Sequence, residues 1–495
     1  MARSTDLTSK RRYAEDAGVQ ASKACLKGTR VKLLTRIRNW ALHPEKRALL
    51  LYGAAGTGKS AIVHTIAREL DSEKLAFVPF FAFSRSVQNR SSSQLIPTWA
   101  KKLAELHPPY QAYLHGLQLS DLESTDLVHQ QDILFLKGLA SLTNCGKPVV
   151  FIVDALDECP KGEAEDLFSI LEELVCKPTI PVCVRFLFTS RSHGEILDAF
   201  KNAPSILHLN IDDESGTVED IYKFVTKKLH KTKFQNMAGD VAKAAQKVFE
   251  CAAVLCRELT ATMRTSARNQ FIKRLKGGQI TSLYGSYHAV LETHVGGDNI
   301  QVFHQVMSWV FTVRTPQTRQ VLHEIATALL PEESKSDPDD ILTWLGSLLS
   351  GTTSQNEPIS PLHTSLQDFL VDKDHSHEFW VNLGLNCHQE LSVACLKMMN
   401  SGLQFNICGL ETSFALNSDV ENLSEKVKEH ISPGLQYACI AVGYHLHNTL
   451  PVASEIDSIP SMHPVKSFPG NCLFGLTLFV SNSGNPTWCN IFPRE

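Results

Sequence analysis

The chain has 495 residues, of which 43% are hydrophobic and 20% charged, and its formal net charge is −4. This balance is typical of folded globular domains, about three at this length, and excludes disordered, collagen-like and coiled-coil chains. A slightly acidic chain does not suit general nucleic-acid binding, so no nucleic-acid partner is expected. The charge is uneven, because residues 1–50 carry 12 basic and 4 acidic side chains. We expect a loose basic arm over residues 1–25.

The sequence carries no recognisable targeting signal and no apolar run long enough to span a bilayer. Its most apolar short run, residues 472–480, is too brief for that. The 13 cysteines are scattered and form no C-x-x-C pair, so neither a zinc site nor a disulfide framework is indicated. These features predict a cytoplasmic protein with reduced thiols and no integral membrane segment.

Strands and helices alternate through the first 215 residues. Short apolar runs predict strands over residues 48–52, 75–83, 148–153, 185–189 and 206–209. Apolar residues at helical spacing predict helices over residues 31–40, from residue 60 onward, and over 94–106, 127–142 and 167–175. The alternation predicts an α/β domain with a parallel sheet that is covered by helices on both faces.

Helical patterns dominate after residue 215. The predicted helices are 218–229, 241–262, 300–313, 318–330, 340–349, 360–372, 387–400 and 420–447. Residues 351–358 are rich in turn formers and predict a loop. The last forty residues show no clear periodicity and are expected to be irregular. The α/β domain is therefore followed by mostly α-helical domains.

A phosphate-binding loop is the first candidate site, because residues 53–60 fit G-x-x-x-x-G-K-[ST]. Its glycines let backbone N–H groups close around phosphates, its lysine faces the β- and γ-phosphates, and its serine holds Mg²⁺. A strand predicted before it and a helix predicted after it are the expected context. The predicted nucleotide-binding residues are Gly53, Ala54, Ala55, Gly56, Thr57, Gly58, Lys59, Ser60 and Ala61.

Acidic residues follow the third predicted strand. Asp154 stands at the strand's carboxyl end, where α/β sheets bind ligands, and we expect it to hold Mg²⁺ together with Ser60. Glu158 lies one short turn further on and is the candidate for orienting or deprotonating the attacking water. Asp157 is expected in the outer shell of the metal. These residues predict ATP hydrolysis beside the phosphate loop.

Arg191 follows the fourth predicted strand, in Thr189-Ser190-Arg191. A cation at the end of a neighbouring strand can reach the γ-phosphate, and we expect the strand order to place Arg191 beside the site. The chain has no apparent guanine-reading Asn/Thr-Lys-x-Asp sequence, so ATP rather than GTP is the expected nucleotide.

Together these motifs resemble the NACHT family of STAND-class P-loop ATPases, and especially its members from mushroom-forming fungi. The resemblance spans roughly residues 25–450. The residues that carry it are Gly28-Thr29-Arg30, Trp40, the phosphate loop, Ala155-Leu156-Asp157-Glu158-Cys159, Thr189-Ser190-Arg191, Ser360-Pro361-Leu362-His363, Asp368-Phe369-Leu370, Phe405-Asn406-Ile407-Cys408 and Tyr437-Ala438-Cys439.

The resemblance implies an order of domains that includes a winged helix. It implies a NACHT nucleotide-binding domain (28–215), a helical domain (216–299), a winged-helix domain (300–375) and a second helical domain (376–450). A basic arm (1–27) and an irregular tail (451–495), both predicted from the residues themselves, flank these domains. A winged-helix histidine contacts the β-phosphate of ADP in this family, and His363 stands at the matching place. The resemblance therefore adds His363 to the expected ligand set.

The resemblance also implies a switch, closed with ADP, that assembles into a signalling homo-oligomer after exchange for ATP. Such proteins are associated with non-self recognition and programmed cell death in fungi. The N-terminal effector domain and C-terminal repeats of many members are not recognisable here. Two alternatives remain: a turnover ATPase of the AAA+ kind and a nucleotide-binding scaffold without hydrolysis. The winged-helix segment and the lack of a pore loop oppose the first, and Lys59, Asp154 and Glu158 oppose the second.

Overall fold

The computed structural model describes residues 13–85, 90–142, 146–201, 203–261, 265–297, 299–330, 338–411 and 419–449. The chain divides into two compact units, Met1–Ala289 and Val290–Glu495. The predicted tail at 451–495 and the first twelve residues of the predicted arm lie outside the described residues. The domain boundaries inferred from the family resemblance remain predictions.

The first unit contains a five-stranded parallel sheet in the order β2-β3-β4-β1-β5. Its strands are β1 (Ala48–Tyr52), β2 (Phe80–Ala82), β3 (Val149–Asp154), β4 (Val184–Ser190) and β5 (Ile206–Asn210). All five strands were predicted, and four were predicted to within two residues. β2 is shorter than the strand predicted over residues 75–83. Only Phe80–Ala82 pairs continuously with β3, and Phe77 forms an isolated bridge with Val149.

Thirteen helices are described from residue 31 to residue 294. They are α1 (Val31–Leu42), α2 (Lys59–Ser72), α3 (Leu95–Leu106), α4 (Pro108–His115), α5 (Leu119–Glu123), α6 (Leu127–Gln130), α7 (Ala164–Cys176), α8 (Gly194–Lys201), α9 (Thr217–Leu229), α10 (Ala238–Ala245), α11 (Phe249–Thr260), α12 (Thr265–Lys276) and α13 (Leu283–His294). The last of these crosses the boundary between the units.

Helices cover both faces of the sheet, as the alternating pattern predicts. On one face, α3, α7 and α8 enclose a buried core with the aromatic side chains of β3 and β4. On the other face, α1 and α2 pack against alternate residues of β1, β3 and β4. Burying apolar surface on both sides is what requires the continuous apolar runs seen in the strands. The predicted α/β P-loop architecture is confirmed.

Three of the predicted long helices are interrupted. The helix predicted over 420–447 is divided into Leu423–His430 and Pro433–Thr449, and the helix predicted over 360–372 begins only at Ser365, after a short strand at Ser360–Pro361. The helix predicted over 241–262 is split into α10 and α11 at Gln246, whose φ of +52° lies in the left-handed region and ends α10. A 3-10 turn and a π-helical segment, Gln131–Lys137, break the helix predicted over 127–142. Apolar periodicity reports the buried face of a segment and does not register such local breaks.

The second unit is helical and includes one short hairpin. Its helices are α14 (Asn299–Thr312), α15 (Arg319–Leu329), α16 (Pro338–Trp344), α17 (Ser365–Val371), α18 (Lys373–Ser376), α19 (Leu385–Gly402), α20 (Leu423–His430) and α21 (Pro433–Thr449). The antiparallel strands β6 (Leu349–Ser350) and β7 (Ser360–Pro361) follow α16. Three helices and then a two-stranded hairpin occupy the segment for which the family resemblance implies a winged helix, and that assignment remains a prediction.

Residues 13–25 are packed on the first unit, so the expectation of a loose arm is wrong for them. Ala17 is fully buried, and the backbone N–H of Ala14 donates to Thr98 Oγ1 over 3.1 Å. Arg90 forms an ion pair with Asp16. Basic composition indicated solvation here, but the small side chains between the charges allow close packing.

No helix among the described residues is both long and apolar enough to cross a bilayer.

Candidate nucleotide-binding site

The phosphate loop joins the end of β1 to the start of α2. Gly58 directly precedes α2 and has a φ of +96°, a backbone conformation that favours glycine. The first N–H groups of a helix have no partner within the helix, and its dipole is positive at this end. Residues 53–60 therefore stand between a strand and a helix N-terminus, the context that the sequence predicts and in which proteins bind anions.

Gly56 brings the start of α11 against the loop. Its φ is +74°, and its carbonyl accepts a hydrogen bond from the backbone N–H of Glu250 over 3.0 Å. A Cβ at position 56 would lie 2.8 Å from the Cβ of Glu250. Any side chain at position 56 would therefore push α11 away from the loop.

Lys59 lies across the loop. Its Nζ donates to the carbonyl oxygens of Gly53 and Ala54 over 2.8 and 2.7 Å. Burial lowers the pKa of Lys59 to about 8, and the nearby carboxylate of Asp157 opposes this shift. A bound phosphate would favour the charged ammonium, because an anion at this position offsets the desolvation.

Ser60 and Asp154 meet at the carboxyl end of the sheet. Ser60 Oγ donates to Asp154 Oδ1 over 3.1 Å, and Thr189 Oγ1 donates to the same oxygen over 2.5 Å. The carboxylate of Asp154 is buried. Within the described residues, no group of three or more His, Cys, Asp or Glu could hold a metal. Two converging oxygen ligands fit Mg²⁺, which keeps several waters and takes further ligands from phosphates.

Asp157 and Arg191 form a pair. The backbone N–H of Arg191 donates to Asp157 Oδ1 over 3.0 Å, and Arg191 Nε lies 3.1 Å from Oδ2. The Asp157 side chain is only 3% exposed. β4 lies between β3 and β1, so Arg191 stands beside the loop as the strand order predicts. In this conformation Asp157 holds Arg191, whereas the sequence suggested an outer-shell metal role.

Glu158 is connected to the chain that follows β2. Its Oε2 accepts a hydrogen bond from the backbone N–H of Arg85 over 3.1 Å, and Arg85 Nη2 donates to the carbonyl of Asp157 over 2.8 Å. Glu158 lies at the same sheet edge as Asp154, since Asp154 ends β3 and Glu158 lies in the turn that follows. Its role as the base remains a prediction.

Arg30 contacts the backbone of the phosphate loop, and the sequence did not assign this contact to it. Its Nη2 donates to the carbonyl of Thr57 over 2.9 Å and its Nη1 to Thr217 Oγ1 over 2.7 Å. Its backbone N–H donates to Asp220 Oδ2 over 2.7 Å. The guanidinium lies 5.0 Å from the ring centre of Phe249. The sequence signal that could have indicated this contact is Gly28-Thr29-Arg30, which is among the residues that carry the family resemblance.

Asp212 is a second contact of the loop that sequence analysis missed. Its Oδ2 accepts a hydrogen bond from the backbone N–H of Ala54 over 2.9 Å. It follows β5, and the backbone carbonyl of Asp212 accepts a hydrogen bond from Lys247 Nζ over 3.1 Å. Both ends of the loop are therefore tied to neighbouring elements of the first unit.

His363 lies in the second unit, at the start of α17. The backbone N–H of Ser365 donates to its Nδ1 over 3.2 Å, and Ser365 Oγ lies 2.6 Å from the same nitrogen. The side chain of His363 thus accepts the backbone N–H of the first residue of α17, a group that has no partner within the helix. The contact of His363 with a nucleotide remains a prediction.

Residues 28–191 match the family described as "Nephrocystin 3, N-terminal". The matched segment contains the phosphate loop, Asp154, Glu158 and Arg191. The resemblance to a NACHT-associated P-loop domain is confirmed over these residues. No curated protein matches the chain.

Several solved archaeal structures are similar to the chain at low identity. Cdc6p from Pyrobaculum aerophilum has 11% identity and a TM-score of 0.35, with 70% of this chain and 92% of that chain covered. A Walker-type ATPase of Pyrococcus abyssi has 12% identity and a TM-score of 0.34, with coverage of 67% and 93%. The Aeropyrum pernix ORC2 protein, solved as ADPNP–ADP complexes, has 12% identity and a TM-score of 0.33, with coverage of 69% and 91%.

Proposed function

We propose that the protein is a STAND-type switch that binds ADP and ATP with Mg²⁺, hydrolyses ATP slowly and acts in NLR-like signalling. The observation that carries the proposal is the meeting of Ser60 with Asp154, 3.1 Å apart, beside a phosphate loop whose lysine lies across it. These groups come from separate parts of the chain and supply what a Mg·nucleotide requires. Homo-oligomer formation after exchange of ADP for ATP belongs to the same proposal.

In this proposal the chain binds the nucleotide through charge and backbone dipoles. The N–H groups at the start of α2 hold the phosphates, and Lys59 leaves its two carbonyl partners to pair with the terminal phosphate. Ser60 and Asp154 hold Mg²⁺, which when bound neutralises the charge that develops on the phosphate oxygens.

Slow hydrolysis is consistent with the contacts of the predicted catalytic groups. Glu158 would orient or deprotonate the water, and its carboxylate accepts a hydrogen bond from Arg85. Arg191 would stabilise the transferring phosphate, but Asp157 holds it. Arg191 has to leave Asp157 before it can pair with a phosphate, which suits a switch better than a turnover ATPase. Purified protein that retains ADP and turns over slowly would support this choice, and rapid steady-state turnover would exclude it.

Lys59→Ala tests the binding site itself. We expect the variant to lose measurable affinity for a fluorescent ATP analogue, because the ammonium of Lys59 is the charge that lies across the loop. Lys32→Ala is the matched control, since Lys32 is an exposed lysine of the same unit. Equal affinities for Lys59→Ala and the wild type would refute the nucleotide-site assignment.

A further inference from the structure

A buried histidine lies directly behind Asp154. His64 is on α2, one turn after Ser60, and its side chain is fully buried. Its ring stacks on Phe80 of β2 with 4.7 Å between ring centres. His64 Nε2 lies 4.0 Å from Asp154 Oδ2. The sequence analysis assigned no role to this residue.

A hydrogen bond to the His64 ring determines which of its nitrogens can donate to the carboxylate of Asp154. The backbone N–H of Gln20 donates to His64 Nδ1 over 3.1 Å. Because Nδ1 accepts, the hydrogen of a neutral ring is on Nε2. Within the described part of the chain, Nε2 has no hydrogen-bond partner. A buried donor without a partner is unfavourable, and the nearby carboxylate oxygen is the acceptor that would satisfy it.

Asp154 presents its two oxygens to different groups. Oδ1 accepts from Ser60 and Thr189, and this is the oxygen at the predicted metal position. Oδ2 is turned toward His64. A shift of about 1 Å would bring Nε2 and Oδ2 within hydrogen-bond distance.

We propose that His64 is a positioning residue that orients Asp154 for metal binding by donating Nε2–H to Oδ2. This inference rests on the proposed Mg·nucleotide site. The hydrogen bond forms as Oδ1 turns from Ser60 toward the ion, and it holds the carboxylate in the ligating orientation. Hydrogen bonds to such outer partners fix the orientation of ligating carboxylates in metal sites. The docked residues 13–25 contribute through the Gln20 N–H, which fixes the ring.

The test measures metal affinity in full-length protein that carries one equivalent of ADP, with Mn²⁺ as an EPR probe for the Mg²⁺ position. We expect His64→Leu to weaken Mn²⁺ binding about tenfold, and His64→Gln to restore most of the affinity. The glutamine amide N–H reaches the position of Nε2, whereas leucine has no donor. ADP affinity measured in EDTA should stay unchanged, because His64 does not touch the loop's predicted phosphate site.

Two further variants separate this role from packing. His107→Leu removes another buried histidine of the same unit, whose Nδ1 likewise accepts a backbone N–H, and it should leave Mn²⁺ affinity unchanged. His64→Asn places its amide near Nδ1 and cannot reach Asp154, so it should behave like His64→Leu. The asparagine–glutamine comparison decides the question if the leucine variant does not fold.

Equal Mn²⁺ affinities for wild type, His64→Asn and His64→Gln would overturn the role of His64. Failure of the wild-type protein to hold ADP would instead refute the proposed function. The two failures are therefore distinguishable, since ADP retention is measured first and metal affinity second.

Discussion

Three carboxylates that are close in sequence have three different sets of partners. Asp154 accepts from Ser60 and Thr189, Asp157 pairs with Arg191, and Glu158 accepts from Arg85. The divergence arises in the turn after β3, where Ala155 has a φ of +58° and a 3-10 turn follows. This turn rotates successive side chains away from each other, so adjacent acidic residues can serve different parts of the site.

Glu158→Gln tests whether Glu158 is the residue that orients or deprotonates the attacking water. We expect ATP affinity to be retained and single-turnover hydrolysis with Mg²⁺ to fall about 100-fold or more, because the amide keeps the size but cannot take up a proton. Glu165→Gln is the control, since Glu165 is exposed on α7. A rate within about twofold of wild type would show that Glu158 is not the base and would make Asp157 the next candidate.

At the scale of secondary-structure elements, Arg30 joins the phosphate loop to α9 and α11. Its guanidinium contacts the carbonyl of Thr57, the hydroxyl of Thr217 and the face of Phe249. Burial lowers the pKa of Arg30, whereas Asp220 opposes the shift. A buried cation with several fixed partners is expected to hold these elements in one arrangement.

Arg30→Met should therefore lower both stability and nucleotide affinity. We expect a loss of about 2–3 kcal/mol in the free energy of unfolding, because buried acceptors are left without a donor. Arg30→Lys should not restore it, since an ammonium cannot reach both partners. Denaturant unfolding with and without ADP measures the effect, and Arg36→Met, at an exposed ion pair, is the control. A stability equal to that of the control would contradict this role.

α19 and α21 of the second unit bring the half-buried His388 against the buried His445. His445 Nδ1 lies 3.0 Å from His388 Nδ1, and its Nε2 lies 2.6 Å from Tyr437 OH. Burial, His388 and Arg314 lower the pKa of His445 to about 4. Because the unfolded chain has a histidine pKa near 6.5, it takes up the proton first as the pH falls.

The stability of the second unit should therefore depend on pH in the acid range. Its free energy of unfolding should be highest above about pH 6.5 and decrease as the pH falls toward about 4. Thermal unfolding between pH 4 and 8 measures this trend. His445→Gln should reduce the dependence, whereas His447→Gln, at an exposed histidine on α21, should leave it intact. An unchanged slope in His445→Gln would remove His445 as its cause.

For the whole molecule, the proposed switch requires the closed state to favour ADP. If His363 contacts the β-phosphate, His363→Ala should weaken ADP binding about 10- to 100-fold and ATP binding less, as expected for one charge-assisted hydrogen bond. If His363 only supports the start of α17 through its contacts with Ser365, both affinities should change equally or not at all. Parallel titrations with the two nucleotides, on wild type and variant, separate these cases.

The sequence by itself determined the local features of the site. The phosphate loop is one continuous segment between a strand and a helix, Asp154 ends one apolar strand, and Arg191 directly follows another. Such features depend on neighbours along the chain and on the rule that parallel strands present their carboxyl ends at one edge. The parallel sheet was predictable for the same reason. The breaks at Gln246 and within residues 127–142 were not, because they leave the apolar periodicity intact.

Only the tertiary structure decided which distant residues support that site. Arg30 meets Thr217 across 187 positions, Ala54 meets Asp212 across 158, and His64 meets Gln20 across 44. None of these residues belongs to a periodic pattern that points to its partner. The strand order and the packing of helices bring them together, because buried polar groups must find hydrogen-bond partners wherever the fold places them.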